Sequence, residues 1–187
     1  MENNEILSST MTELAENIDD LLESLSALQR LSELPAHKLT ETTLLKDTLR
    51  ILYQYCHTTS CTLLTWPANL PPEQITSVNK KMLLAIDSNG IVHQRVATSI
   101  ESLFIQHAIE ERTTQNCSDC TTIGEGYQCN AWEKAIISVP IFDADELTGV
   151  ITISHSNREH FNPWWHNLLG TMSRFLGQQL TICRLTR

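Results

Sequence analysis

The chain has 187 residues, long enough for one domain with a full core and an appendage. With 41% hydrophobic and 19% charged residues it reads as a folded globular protein, not a disordered one. Its net charge of −9 repels phosphate, which argues against DNA, RNA or an anionic membrane as partner.

The first predicted element is a helix. Leu7, Met11, Leu14, Ile18, Leu21, Leu25 and Leu28 alternate by four and three residues, the pattern of a heptad seam. Glu13, Glu16, Asp19, Asp20 and Glu23 form an acidic stripe between them. Two arrangements fit this pattern: a coiled coil with a second copy, or an amphipathic helix lying on its own domain. Pro35 ends the segment, because proline lacks the amide donor that a helix interior needs.

A second helix is expected from Thr43 to His57, with Leu45, Leu49, Leu52 and Cys56 on one face. Ser60 to Trp66 reads as a short strand, and Ala68 to Asn79, with Pro71 and Pro72, as a loop. Lys81 to Ile86 and Ile91 to Ala97 form a hairpin around the turn Asp87-Ser88-Asn89-Gly90. Thr98 and Glu101 have capping-box spacing, so a third helix starts near Ser99. Its buried stripe is read as Ile100, Leu103, Phe104, His107 and Ala108. Thr113 to Trp132 is irregular. Ala135 to Phe142 and Leu147 to His155 are strands joined by an acidic turn. Asn162 then caps a helix with Pro163 at its first position, running to about Leu185.

The last third carries a family resemblance. Ala135-Ile136-Ile137-Ser138-Val139-Pro140-Ile141 is followed by Leu147-Thr148-Gly149-Val150-Ile151-Thr152-Ile153-Ser154, then by Phe161 and an amphipathic helix. This resembles the GAF family of small-ligand sensors over about residues 40 to 185. The implied fold is α+β: a GAF- or PAS-like antiparallel sheet with helices on one face, preceded by the N-terminal helix. Residues 1–36 would be a dimerisation arm and 37–187 the sensor domain. The resemblance places the ligand pocket on the sheet face opposite the terminal helices, roofed by residues 99 to 132. Phe104, His107 and Trp132 are then the candidate ligand-binding residues.

Specialised branches of the family match less well. Asn157, Arg158 and Phe161 echo the start of a cyclic-nucleotide signature, but Trp165-His166 stands where its acidic pair would be. The only Cys-His pair, Cys56-His57, ends a helix outside the pocket segment, unlike that of bilin binders. Free methionine sulfoxide reductases are GAF-like enzymes with three cysteines, but with wider spacing than here.

No basic and apolar leader opens the sequence, and Ala135 to Phe142 is far short of the about 20 apolar residues of a membrane span. The expected location is the cytoplasm, where thiols stay reduced. Cys117-Ser118-Asp119-Cys120, with Cys129 following, can then grip one zinc or iron ion through soft sulfur donors. His93, His107 or His160 would supply a fourth ligand. The same thiols can instead form a reversible disulfide, or be unlinked residues of a variable loop. Cys56, Cys61 and Cys183 sit in apolar runs and read as packing residues. No Gly-rich phosphate loop, Gly-x-Ser-x-Gly elbow or His-Glu-x-x-His helix occurs.

These features point to a regulatory sensor, not a self-sufficient enzyme. It would be a homodimer that detects a small molecule, metal or redox change. Its terminal helices would pass the signal to a C-terminal effector such as a diguanylate cyclase or histidine kinase. A thiol-dependent enzyme of the free methionine sulfoxide reductase type is the other expectation.

Overall fold

Helix α1 (Glu2–Ser32) follows the heptad pattern and, among the described residues, meets the rest of the protein through its C-terminal part, where Glu23 hydrogen-bonds with His57 and Ser24, Ala27 and Leu31 are buried. The computed structural model of the chain describes residues 2–67 and 82–186, with side chains from residue 6 onward. The expected loop from Ala68 to Asn79 lies outside the described residues. Helix α2 (Glu41–Tyr55) is capped by Thr40, whose hydroxyl accepts from the Thr43 amide at 3.1 Å. Leu44, Leu45, Leu49 and Leu52 turn inward, and each leucine so buried contributes about 2 kcal/mol.

Six strands follow: β1 (Ser60–Thr65), β2 (Met82–Ile86), β3 (Val92–Val96), β4 (Gln115–Cys117), β5 (Ala135–Asp143) and β6 (Glu146–His155). They form one sheet in the order β3-β2-β1-β6-β5-β4, and every neighbouring pair is antiparallel. The hairpins β2–β3 and β5–β6 were both expected. Strand β4 was not: three residues, Gln115-Asn116-Cys117, are too few to show a period of two, and they pair only because β5 offers them an edge.

Alternation along the strands divides the side chains between two faces. Cys61 and Leu63 of β1, Ile137, Val139 and Ile141 of β5, and Ile151 and Ile153 of β6 point to one side. There they pack against α2, the end of α1 and helix α4 (Pro163–Leu185), forming the main core. Helix α4 is capped by Asn162, with Pro163 at its start, as expected. It approaches β5 so closely that a Cβ on Gly177 would lie 2.0 Å from the Phe142 carbonyl oxygen.

Helix α3 (Ser99–Glu111) lies on the other face. Ile105, Ala108 and Ile109 pack there on Leu64, Leu83 and Val150. The terminal helices therefore share one face, while the middle helix and the loop after it cover the opposite one.

Candidate functional site

The face under α3 differs chemically from the core face. Across the three central strands it carries Ser60 and Thr62 of β1, Thr152 and Ser154 of β6, and Ser138 of β5, all buried. The register places Ser60 opposite Ser154, Thr62 opposite Thr152, and Ser138 opposite Thr152, so the hydroxyls form a band across the sheet. The Ser138 and Thr152 hydroxyls are 2.8 Å apart. The Ser154 hydroxyl is buried without a hydrogen-bond partner. Such a group costs free energy unless something satisfies it, so it marks a place where a polar guest would be accommodated.

Charged groups close the band at the β3 edge. Arg95 of β3 donates twice to Glu101 of α3, with both bonds at 2.6 Å, and reaches the Ser60 hydroxyl at 3.3 Å. Burial opposes the charge on Arg95, but the Glu101 hydrogen bonds and charge outweigh it, and its pKa ends above the usual value. Glu101 also accepts from the Thr98 amide at 2.9 Å while its own amide donates to the Thr98 hydroxyl, completing the expected capping box. One carboxylate thus starts the helix and neutralises the strand arginine.

The segment before β5 fastens over this corner. Thr98 donates to Glu133, which also accepts from the Asn130 side chain at 3.0 Å. Glu133 is fully buried, and burial raises its pKa above the ordinary carboxylate value, with the nearby Glu101 charge acting in the same sense. Trp132 lies against Arg95, whose guanidinium carbon is 5.5 Å from the ring centroid. The Trp132 carbonyl accepts from Thr59 at 3.1 Å. Beneath this clasp is a cavity of about 230 Å³, lined among others by Ser60, Asp87, His93, Arg95 and Trp132.

Of the three expected ligand-binding residues, Trp132 lines this cavity. Phe104 is buried in a small cluster with Ile100, Cys120 and Ile136, within the roof. His107 is a correction: it is exposed to solvent, on the outer side of α3. The buried arc of α3 contains Ile100, Glu101, Phe104, Ile105, Ala108 and Ile109. At about 100° per residue that arc is centred nearer Ile105 than the expected stripe through Leu103 and His107. Glu101, expected as a capping residue, also lies in the buried arc, where its ion pair with Arg95 compensates its charge.

The three loop cysteines converge. Cys120 is buried against Ile100, Phe104 and Ile136, and Cys117 and Cys129 pack on the same cluster. All six cysteines are free. Burial raises the Cys120 pKa above the usual thiol value, with Cys117 next in effect. Cys129 is raised by burial and then by Glu133. Among the described residues, no group of three or more His, Cys, Asp or Glu side chains is arranged to hold a metal ion. His93 lines the cavity, His160 stacks on His155 ahead of the α4 cap, and neither joins the sulfurs in one ligand set. Cys56, Cys61 and Cys183 are buried in the main core, as expected of packing residues.

The family model for the GAF domain matches residues 40–180. The chain belongs to the GAF domain family. Solved structures agree on the GAF fold at low identity. Free methionine-R-sulfoxide reductase from Neisseria meningitidis, in complex with its substrate, is 14% identical, with a TM-score of 0.66 over 90% of this chain and 94% of that one. The GAF domain from a phosphoenolpyruvate-protein phosphotransferase of Coxiella burnetii is also 14% identical, with a TM-score of 0.62 over 90% and 96%. The reduced form of fRMsr from Staphylococcus aureus is 18% identical, with a TM-score of 0.60 over 84% and 94%. No curated protein matches the chain. In this GAF domain the hydroxyl band, Arg95 and Glu133 are functional candidates that the sequence reading missed. Their signal is present: Ser60-x-Thr62 and Thr152-x-Ser154 are polar residues at a period of two inside otherwise apolar strands.

Proposed function

We propose that this GAF domain is a regulatory sensor that encloses a small polar molecule between α3 and the sheet. The observation that carries the reading is the buried hydroxyl band: the Ser154 hydroxyl has no partner, and Ser60, opposite it in the ladder, lines the Trp132 cavity. A ligand hydrogen-bonded there would displace the Trp132–Glu133 clasp and move α3 against β5 and β6. The shift would reach α4 and α1 on the far face, because packed helices move between discrete arrangements. Two copies would pair through α1, and a catalytic output domain such as a diguanylate cyclase or histidine kinase would follow α4. Among the described residues no helix is long and apolar enough to cross a membrane, and a cytoplasmic setting suits the free thiols.

The test is a thermal-shift panel of amino acids, nucleotides and organic acids, run on the full chain and on Trp132→Ala and Ser154→Ala. At least one member should raise the melting temperature of the unaltered chain and lose its effect in both variants. A panel in which no compound stabilises the protein sinks the reading.

A second reading rests on the three converging thiols and on the likeness to free methionine-R-sulfoxide reductases. It requires thiol-dependent reduction of free methionine sulfoxide that Cys129→Ser abolishes. The raised pKa of Cys129 weighs against this thiol as the nucleophile, since the thiolate is the attacking form.

A further inference from the structure

Cys117 ends β4, and Cys120 opens a single 3-10 turn (Cys120–Thr122). Cys117 stands opposite Ile136 in the ladder, and the Cys120 amide donates to the Lys134 carbonyl at 2.8 Å. Both residues therefore hang from one edge of β5, at positions two apart. That spacing along a strand is about 7 Å, and a disulfide bridges Cα atoms up to about that distance. The turn between them is held from outside. The Asp119 carboxylate accepts from the Thr121 amide at 3.1 Å and meets Arg158 at 3.3 Å, and the Ser118 carbonyl accepts from the Glu159 amide at 2.8 Å. With Ser118 and Asp119 tied to the β6–α4 connection, both thiols are left on the cluster beneath α3.

We propose that Cys117 and Cys120 are an oxidation site that a hydroperoxide converts to an intramolecular disulfide. Cys117 is partly exposed while Cys120 is 2% exposed, so the oxidant meets Cys117 first. The Cys117 sulfur attacks one peroxide oxygen. An S–O bond forms, the O–O bond breaks, and the other oxygen leaves as water (or as an alcohol) with the thiol proton. The Cys120 sulfur then displaces the hydroxyl. The S–S bond forms, the S–O bond breaks, and the hydroxyl leaves as water with the Cys120 proton. The two thiols give up two electrons and the peroxide takes both. Cys129 stays a thiol, because its hydrogen is directed to the Asn130 and Glu133 carbonyls at 3.5 and 3.4 Å. Burial pushes the Cys120 thiol toward its protonated form, so this sulfur is not stabilised as a thiolate, the device that makes strongly oxidising dithiols easy to reduce.

The consequence for the pocket rests on the sensor reading, but the oxidation does not. Cys120 packs on Ile100 and Phe104, so drawing it toward Cys117 repacks the roof through α3.

The experiment treats the reduced full chain with hydrogen peroxide, alkylates free thiols, and weighs the tryptic peptide 113–134, which contains all three cysteines. The expected peptide has lost two hydrogens and carries one alkyl group, and dithiothreitol restores three sites. Cys129→Ser should keep the loss of two hydrogens, and Cys117→Ser and Cys120→Ser should each abolish it. Three alkylated cysteines after peroxide, or a loss that persists in Cys117→Ser, overturns the proposal. Thiol counting is independent of the ligand panel, so either idea can fail alone.

Discussion

Arg95 and Glu101 show how a charged pair can sit inside an apolar sheet–helix interface. The Glu101 side chain is 1% exposed and its partner 24%. Removing one member of a buried pair leaves the other charge without compensation. Arg95→Met should therefore cost about 3 kcal/mol, measured by urea unfolding; a loss of less than about 1 kcal/mol, the range of a surface pair, would mean that Glu101 finds another partner. His160 makes a pH-dependent contribution. It stacks on His155 with ring centroids 3.6 Å apart, and burial followed by the neighbouring His155 and His57 lowers its pKa to about 4. The unfolded chain holds this proton from about pH 6.5 downward, whereas the folded chain resists it until about 4. Stability contributed by neutral His160 is complete above that window and is lost as pH falls through it. Glu133, with its raised pKa, acts in the opposite sense: it favours the fold at low pH and loses that contribution as it ionises. The clean measurement is a difference. The melting temperature of His160→Gln should fall less than that of the unaltered chain between pH 7 and pH 4, and parallel curves would show that His160 does not carry the dependence.

At the scale of elements, Gly177 is where α4 lies against the backbone of β5 at Phe142 and leaves no room for a Cβ. A methyl group there meets the Phe142 carbonyl, a backbone atom that cannot swing aside. Gly177→Ala should destabilise by about 3 kcal/mol or more through overpacking, whereas Gly170→Ala, with open space around it, should be neutral or slightly stabilising. Equal melting temperatures for the two variants would show that α4 can lift away from β5. The same elements show which parts were legible in the sequence. The leucines of α2 at helical spacing and the continuous apolar runs of β5 and β6 predicted their elements to within about two residues, because a buried helix face dictates a period and a central strand, covered on both faces, dictates an unbroken apolar run. The capping residues Thr98 and Asn162 located two helix starts, because their geometry is local. The pocket was harder to read. Trp132 was found, but Arg95, Glu101 and Glu133 owe their burial to one another across three separate elements. His107 was misplaced for the same reason, since the helix rotation is set by the Arg95 pair and not by the apolar pattern alone.

At the scale of the whole molecule, α1 stands out as an arm whose apolar face is left uncovered. Helix α1 has 31 residues, about 46 Å of helix, and large apolar side chains face solvent along most of it. Ile6, Leu7, Met11, Leu14, Ile18, Leu21, Leu22 and Leu25 are between 43% and 65% exposed. The alternative of a helix lying on its own domain would have covered them. A continuous apolar patch of this extent marks an interface, and a seam with heptad spacing fits a second copy of itself. Leu21→Glu with Leu25→Glu should convert a dimer to monomers by light scattering, and a persisting dimer would place the interface elsewhere. The flanking residues sharpen the expectation. With Met11 and Ile18 at a and Leu14 and Leu21 at d, the neighbouring e and g positions are Thr10, Ala15, Asn17, Leu22 and Ser24, none of them charged. Glu13, Glu16, Asp19 and Asp20 fall on the outer side, away from the seam. The pairing free energy is then apolar, and the charges of two arms meet only at a distance that salt already screens. Raising sodium chloride from low levels to about 1 M, where screening acts within about 3 Å, should leave the dimer dissociation constant nearly unchanged or slightly lower. A dimer that weakens steeply with salt would require ion pairs across the interface, and therefore a different face of α1 or a different element.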